Sequence, residues 1–316
     1  MDKYFKIVSR IGIALLMICA VIFPGKTFAA DNPNSEGMKA FREALTSDSD
    51  SLDRIFRQDI YFASPFIISE LEIYGTVEKD EFISYGDFSM WVYNDDGTQS
   101  ENIIPYYMVQ NGKDMTIYFK TDKKWQKFTT PSLAAAVMDM LATPTEQEVE
   151  EIIADTKDVT ILQDNDYRRI MLIRVDGNRI ADSFKNKSDE NPADKGTATD
   201  SALQEKIVGY MDSALRKADV WYMWTIDKRD WHTVAMQYNF SGIIQEMARA
   251  ALNDPEQQWP DEISNMLETI AYYSEIRAYT TYPADPKAKK NFVLPKEVLK
   301  AKPVDSLSDS VKITGK

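Results

Sequence analysis

Short turn sequences recur at close intervals between apolar runs in the first half of the chain. Asn94–Gly97, Asn111–Gly112 and Asp122–Lys124 each separate two such runs. Turns of this composition connect neighbouring antiparallel strands, because Asn, Asp and Gly tolerate the left-handed backbone that tight hairpins need. The spacing predicts consecutive antiparallel strands near residues 61–75, 82–93, 103–110, 114–120 and 124–128.

Helical patterns interrupt these strand-like segments. Capping residues and apolar spacing predict helices at 37–56 (with a break near 47–51), from Pro131, from a capping box of Thr145 and Glu148, at 200–218 and at 241–252. Further strands are predicted at 158–163, 167–175, 178–184, 220–228, 232–240, 264–282 and 290–294, with Asp176-Gly177 as a hairpin turn. The chain therefore has the pattern of antiparallel strands with helices inserted, which is an α+β fold.

Aromatic side chains are frequent in the predicted strands, at odd-numbered as well as even-numbered positions. In Val220–Ile226 both alternating sets are bulky and apolar, whereas a sheet with one solvated face alternates apolar and polar residues. Either both faces are packed, with helices on the concave face, or one face lines a ligand cavity. Apolar cavities with scattered Tyr and Trp hydrogen-bonding groups suit lipid-like ligands. The candidate cavity residues are Trp91, Tyr93, Tyr106, Tyr118, Trp221, Tyr222 and Trp224.

The first 29 residues have the composition of a secretory signal peptide. Three basic residues precede the apolar run Ile11–Phe23, and small residues at 27 and 29 form a cleavage site after Ala29. The run is shorter than the roughly 20 residues that span a membrane. We therefore expect an extracytoplasmic protein, in the periplasm, the cell envelope or the medium, without a stable membrane span. An uncleaved anchor is the alternative.

The charge of the chain limits its partners. The formal net charge is −13, and the leader's four basic residues and one acidic residue give that segment +3, which leaves −16 on residues 30–316. Such acidity disfavours nucleic acid and anionic membranes, and it is compatible with a soluble monomer. The single cysteine, Cys19, lies within the leader, so a mature chain carries no disulfide.

Local motifs give little support for catalysis. The chain has no Gly-x-Ser-x-Gly elbow, no P-loop and no Gly-x-Gly-x-x-Gly, and it predicts no cofactor. His232 is the only histidine, which excludes multi-histidine metal sites. A hydrolase would depend on carboxylates assembled in space, or on His232 with Asp227 or Asp230. We expect neither a metal site nor a catalytic site.

Three segments resemble a known family. Ile104–Tyr107 precedes an apolar strand and a Lys-Trp-Gln-Lys segment, Trp224–Arg229 resembles a conserved strand end of that family, and Phe292–Val298 resembles its closing segment. Together they are similar to the lipoprotein-carrier (LolA/LppX-like) superfamily, especially its bacterial extracytoplasmic members. The resemblance spans about residues 36–303. It implies a strongly curved antiparallel sheet, an unclosed half-barrel, with helices packed across its concave face.

The family resemblance also implies binding of acyl chains or lipoproteins between sheet and helices. We therefore expect a signal peptide (1–29), one half-barrel domain (30–303) and a disordered tail (304–316). The expected function is non-enzymatic binding of a hydrophobic ligand, either a lipid, an acyl chain or a lipoprotein moiety, in the cell envelope. The alternatives are a packed scaffold that binds another envelope protein and an exported hydrolase.

Overall fold

A computed structural model describes most of the chain after the leader. The described residues are 35–47, 54–64, 67–78, 81–93, 98–111, 114–121, 123–130, 146–154, 156–179, 181–182, 198–282 and 293–304. The predicted signal peptide and all but the first residue of the predicted tail lie outside these ranges, as does the whole of the helix predicted from Pro131. No helix within them is long and apolar enough to cross a membrane.

The described part of the fold has five longer α-helices and twelve strands, together with helical residues at 177–179 and 181–182 and a 3-10 helix at Val298–Lys300. The helices are α1 (Glu36–Ser47), α2 (Glu146–Ala154), α3 (Ala198–Lys217), α4 (Ser241–Leu252) and α5 (Asp261–Tyr273). The strands are β1 (Arg54–Ala63), β2 (Ile67–Glu78), β3 (Glu81–Tyr93), β4 (Gln99–Asn111), β5 (Asp114–Thr121), β6 (Lys124–Thr130), β7 (Thr156–Asp164), β8 (Arg168–Val175), β9 (Trp221–Asp227), β10 (His232–Asn239), β11 (Glu275–Thr281) and β12 (Lys302–Pro303).

All twelve strands form one open sheet. Its order is β12-β6-β5-β4-β3-β2-β1-β11-β10-β9-β8-β7, so β1–β6 and β7–β11 are two meanders that meet where β1 pairs with β11. Every pairing is antiparallel except the short parallel contact of β12 with β6. The fold is therefore α+β with a mostly antiparallel sheet that does not close into a barrel, which confirms the expected fold class.

The helices cover one face of the sheet, which we call the inner face. Residues Met171, Ile173 and Val175 alternate along β8 with residues that point to the other side, and all three lie in the main hydrophobic core. Apolar stripes of α1, α2, α3 and α4 complete this core. α1 lies so close to β7 that a β-carbon at Gly37 would be 1.9 Å from the Val159 carbonyl oxygen.

The outer face carries an aromatic ladder across four strands. The rings of Tyr74, Tyr85, Tyr107 and Trp125 follow one another with centroids 5.5 to 6.2 Å apart. Their faces turn mainly toward one another, so the ladder stabilises the sheet through cross-strand pairs. Residues 293–304, which we call the C-terminal strap, pack beside this ladder and end in β12.

Several sequence predictions for the first half of the chain need correction. The predicted helix 37–56 ends at Ser47, and residues 54–63 form β1 because all of them pair with β2 and residues 57–63 also pair with β11. The predicted strand 61–75 is two strands. The Ser64 amide donates to the Ile67 carbonyl oxygen (2.8 Å), and this short connection reverses the chain.

Three further corrections fall in the second half. Residues 177–179 and 181–182 are helical, because the Asp176 carboxylate accepts the Asn178 amide (3.0 Å) and caps a helical turn instead of a hairpin. The predicted strand 264–282 is α5 followed by β11, since Asp261 and Glu262 favour a helix start after Pro260. Of the predicted strand 290–294, residues 293 and 294 are not in a strand and the others lie outside the described ranges.

Candidate functional site

The seven aromatic candidates lie on two different faces of the sheet. Cross-strand partners in an antiparallel pair point to the same face, so the pairing registers assign each side chain. The inner face carries Tyr106, Tyr222 and Trp224. The outer face carries Trp91, Tyr93, Tyr118 and Trp221. A single cavity lined by all seven is therefore not formed.

Tyr222 and Trp224 belong to the filled part of the inner face. The Tyr222 ring packs on Tyr238 with a centroid distance of 5.6 Å, and burial raises the pKa of the Tyr222 hydroxyl. The Trp224 Nε1 donates to Thr233 Oγ1 (3.0 Å), and its ring meets Phe41 of α1 edge-on at 5.9 Å. Both side chains are buried in the main core, where Trp224 connects the sheet to α1 and Tyr222 packs against its neighbour on β10.

Tyr106 lies in the other half of the inner face. It is opposite Gly86 on β3, where the backbones of β2 and β3 approach so closely that a β-carbon would be 1.7 Å from the Glu72 carbonyl oxygen. The Tyr106 hydroxyl donates to that same oxygen (3.2 Å). Burial is the main reason that the pKa of Tyr106 is raised, so the hydroxyl stays a neutral donor. Glycine here permits the close approach of the two strands.

The outer-face candidates have separate environments. Trp91 is half-buried, and its Nε1 donates to Glu101 Oε1 (3.1 Å). Tyr93 is 44% exposed, Trp221 is half-buried, and Tyr118 is buried beneath the C-terminal strap. These side chains surround no common space and cover different parts of the outer surface.

The inner face changes character between its two halves. On β8, β9 and β11 the inner side chains of Met171, Ile173, Ile226 and Ile276 are at most 1% exposed. On β1–β6 some inner-face side chains, such as Ile60, Met115 and Phe119, are likewise buried, but several other large apolar side chains are only half-buried, although they pack against the same core. We call this set the open patch; its members are Phe62, Leu71, Phe88, Ile104, Met108 and Phe128.

The open patch is continuous across neighbouring strands. Leu71, Phe88 and Ile104 are direct cross-strand partners on β2, β3 and β4. A small buried cluster of Ile67, Met90 and Val92 packs against Phe62 and Phe88 at one end. This arrangement offers an apolar surface that is already ordered by the sheet beneath it.

Polar atoms without partners lie on the same half of the inner face. Ser84 Oγ, Asn102 Nδ2 and Gln126 Oε1 are buried and make no hydrogen bond. The registers place them on the inner face, because their partners Met108, Met90 and Phe119 are there. Mostly apolar surfaces with a few buried polar groups are typical of small-molecule sites.

The hairpin between β9 and β10 brings together the residues that a hydrolase or a metal would use. His232 Nδ1 contacts Asp230 Oδ1, and ligand atoms of Asp227, Asp230 and His232 all lie within 4.8 Å of one another. Arg229, however, binds both carboxylate oxygens of Asp227, and these hydrogen bonds lower the pKa of Asp227. The cluster is therefore internally paired, with the Arg229 cation occupying the carboxylate that a metal would need.

A buried arginine joins the sheet to α1, and the sequence analysis did not single it out. Arg169 is on the inner face of β8, where its Nη1 donates to the Ala40 carbonyl oxygen (3.2 Å) and to Glu43 Oε2 (2.7 Å). Its Nη2 donates to Asp164 Oδ2 (2.8 Å). The sequence does contain a signal for this residue. Arg169 is a cation in an apolar strand, at a position that shares its face with Met171 and Ile173.

The comparisons with known proteins identify no relative: no family model matches the chain, and no curated protein matches its sequence.

Proposed function

We propose that this protein binds a hydrophobic ligand, either a lipid, an acyl chain or a lipoprotein moiety, on the inner face of β1–β6. The observation that carries the proposal is the open patch, where large apolar side chains stay half-buried beside a core whose other half is filled. Removing apolar surface from water is favourable by about 25 cal/mol per Å². An acyl chain lying along Leu71, Phe88 and Ile104 would gain this energy without reshaping the sheet.

Two sequence features support the same proposal. The predicted signal peptide would deliver the protein to an extracytoplasmic compartment, where a carrier or sensor of envelope lipids would work. The three segments similar to the lipoprotein-carrier superfamily imply the same ligand class. The mechanism is passive binding, and no chemical step is part of it.

Two isoleucines next to each other in sequence provide the test. Ile104 belongs to the open patch, whereas Ile103 is 53% exposed on the outer face of the same strand. Residues 30–316 would be titrated with a fluorescent fatty acid, and the protein purified from its own envelope would be measured by native mass spectrometry. We expect Ile104→Ala to weaken binding several-fold and Ile103→Ala to leave binding unchanged. Equal affinities for both variants, or a ligand-free mass with no uptake of added lipid, would contradict the proposal.

A protein-binding scaffold is the second candidate, and one observation favours it. Tyr272 and Tyr273 are adjacent at the end of α5 and are 71% and 72% exposed. Exposed aromatic pairs are more common in protein interfaces than elsewhere on the surface. A protein that takes up no lipid, but loses co-purifying protein when both tyrosines are changed to serine, would fit this function better.

A further inference from the structure

The polar atoms without partners bracket the open patch along the β3–β4 pair. Ser84 is opposite Met108 at one end, and Asn102 is opposite Met90 at the other. Between them lie the Gly86–Tyr106 and Phe88–Ile104 pairs. Six residue steps along a strand correspond to about 20 Å. The surface is therefore an apolar track with a hydrogen-bonding group near each end.

The buried state of these groups requires an explanation. Ser84 is 1% exposed and its hydroxyl makes no hydrogen bond, although Ser can both donate and accept. Burying a polar group without a partner is unfavourable, so native proteins pair almost all such groups. Asn102 Nδ2 lacks an acceptor and Gln126 Oε1 lacks a donor. A ligand that supplies both kinds of partner would satisfy them.

The charge of this surface restricts the ligand further. In the described parts of β2–β5, no inner-face position carries an Asp, Glu, Lys or Arg. Charged residues of these strands, such as Glu70, Asp87 and Lys120, are on the outer face. Because a buried ion needs a counter-charge, a carboxylate or phosphate is disfavoured on this track.

We propose that the ligand is a neutral acyl compound whose amide or ester linkage is buried with its chain, held by Asn102 Nδ2 donating to the ligand carbonyl. Its chain runs along the track toward Ser84, about 20 Å away, which contacts a second neutral polar group at the far end of the ligand. This inference rests on the proposed function, because it names the ligand class of the open patch. Fatty-acid carboxylates and plain hydrocarbons lack, respectively, the neutrality and the hydrogen-bonding groups that the track requires.

Three probes of equal chain length test the inference: hexadecanamide, hexadecanoate and hexadecane, each measured by displacement of a fluorescent lipid from residues 30–316. We expect the wild-type protein to bind the amide about three- to tenfold more tightly than either other probe, the range for one or two net hydrogen bonds. Asn102→Leu should abolish this preference and retain hexadecane binding. The matched control is Ser89→Ala, since Ser89 is half-buried on the outer face of β3, which pairs with the strand of Asn102.

Stability gives a second readout that does not need a ligand. If the polar atoms are kept for binding, Ser84→Ala should raise the unfolding midpoint of the ligand-free protein, whereas Ser89→Ala should not. Equal affinity for amide and hexadecane, or tightest binding of hexadecanoate, would overturn the ligand class alone. Failure of all three probes to bind would overturn the proposed function with it.

Discussion

Gly37 of α1 lies directly against the backbone of Val159 in β7. A β-carbon at Gly37 would be 1.9 Å from the Val159 carbonyl oxygen, and because that oxygen belongs to the backbone the helix itself would have to move. We expect Gly37→Ala to lower the free energy of unfolding by about 1–3 kcal/mol, the usual range for overpacking.

The control for this prediction is another helical glycine. A β-carbon at Gly209 in α3 would meet no atom within 4 Å. Gly209→Ala should therefore raise the free energy of unfolding by about 0.5–1 kcal/mol through helix propensity. Urea denaturation followed by circular dichroism measures both variants. Equal effects of the two substitutions would show that α1 does not rest on β7 in solution.

Substitution of Trp224 distinguishes a role in the hydrophobic core from a role in ligand binding. Its ring is 5% exposed, packs on Phe41 and donates to Thr233, all in the filled half of the inner face. We expect Trp224→Ala to lower the free energy of unfolding by about 3–5 kcal/mol. The fraction that remains folded should bind the fluorescent fatty acid with unchanged affinity. A loss of affinity at full stability would place the ligand between α1 and β9 instead.

Asp164 makes stability depend on pH in the acid range. Burial alone would raise the pKa of Asp164, but hydrogen bonds from Arg169 and Lys228 outweigh it and lower the pKa. Because the folded pKa is below the unfolded value of about 3.9, this contribution is fully present above that pH. It is lost as the pH falls through the folded pKa.

We therefore expect Asp164→Asn to be less stable than the wild type by about 1 kcal/mol at pH 7, a value reduced for partial exposure. The difference should shrink below about pH 4, where the unfolded wild-type chain binds a proton that the folded carboxylate does not yet bind. Thermal unfolding from pH 3 to 7 measures it. Asp158→Asn, an exposed position on the same strand, should follow the wild-type profile. A difference for Asp164→Asn that stays constant with pH would contradict the charge argument.

The C-terminal strap is held by one fully buried side chain. Val298 is 0% exposed and packs in a cluster with Tyr118 and Ala301, whereas its neighbour Leu299 is 58% exposed. We expect Val298→Ser to lower the free energy of unfolding by about 1–3 kcal/mol and Leu299→Ser to change it little. The near-ultraviolet circular dichroism of Tyr118 and Trp125 should weaken only in the first variant. Identical spectra for both variants would mean that the strap does not cover Tyr118.

The sequence predicted most strands of the two meanders, since their apolar runs and Asn/Asp/Gly turns are local signals. It placed the first three residues of β1, 54–56, in a helix because Ile55 and Phe56 continue an apolar spacing that began in α1, and only their pairing with β2 makes them part of a strand. Asp176-Gly177 has the composition of a hairpin turn, yet the Asp176 side chain caps a helical turn. Long-range pairing and side-chain capping decided these cases, and neither is visible in a local pattern.

The candidate site was predictable only in part. The alternation of residues along the strands identified Tyr106 and the many apolar side chains of the sheet. It could not show which face each strand position occupies. The outer-face residues Trp91, Tyr93, Tyr118 and Trp221 were therefore included with the inner-face residues. The face of each strand depends on its register with its neighbours, which one sequence does not contain. The open patch likewise depends on which side chains pack against each strand, and that is a property of tertiary packing.

The pairing of β1 with β11 sets the order in which this sheet can be completed. β1 ends at Ala63, but its second partner begins only at Glu275. While the chain is delivered from its amino end, β1 remains an unpaired edge long after β2–β6 have been made, and unpaired edges recruit foreign strands. A chain interrupted before Glu275 would keep that edge permanently. The time that the chain takes to be delivered as far as β11, more than the folding speed of either meander, therefore determines how long the edge of β1 must be protected from pairing with other chains.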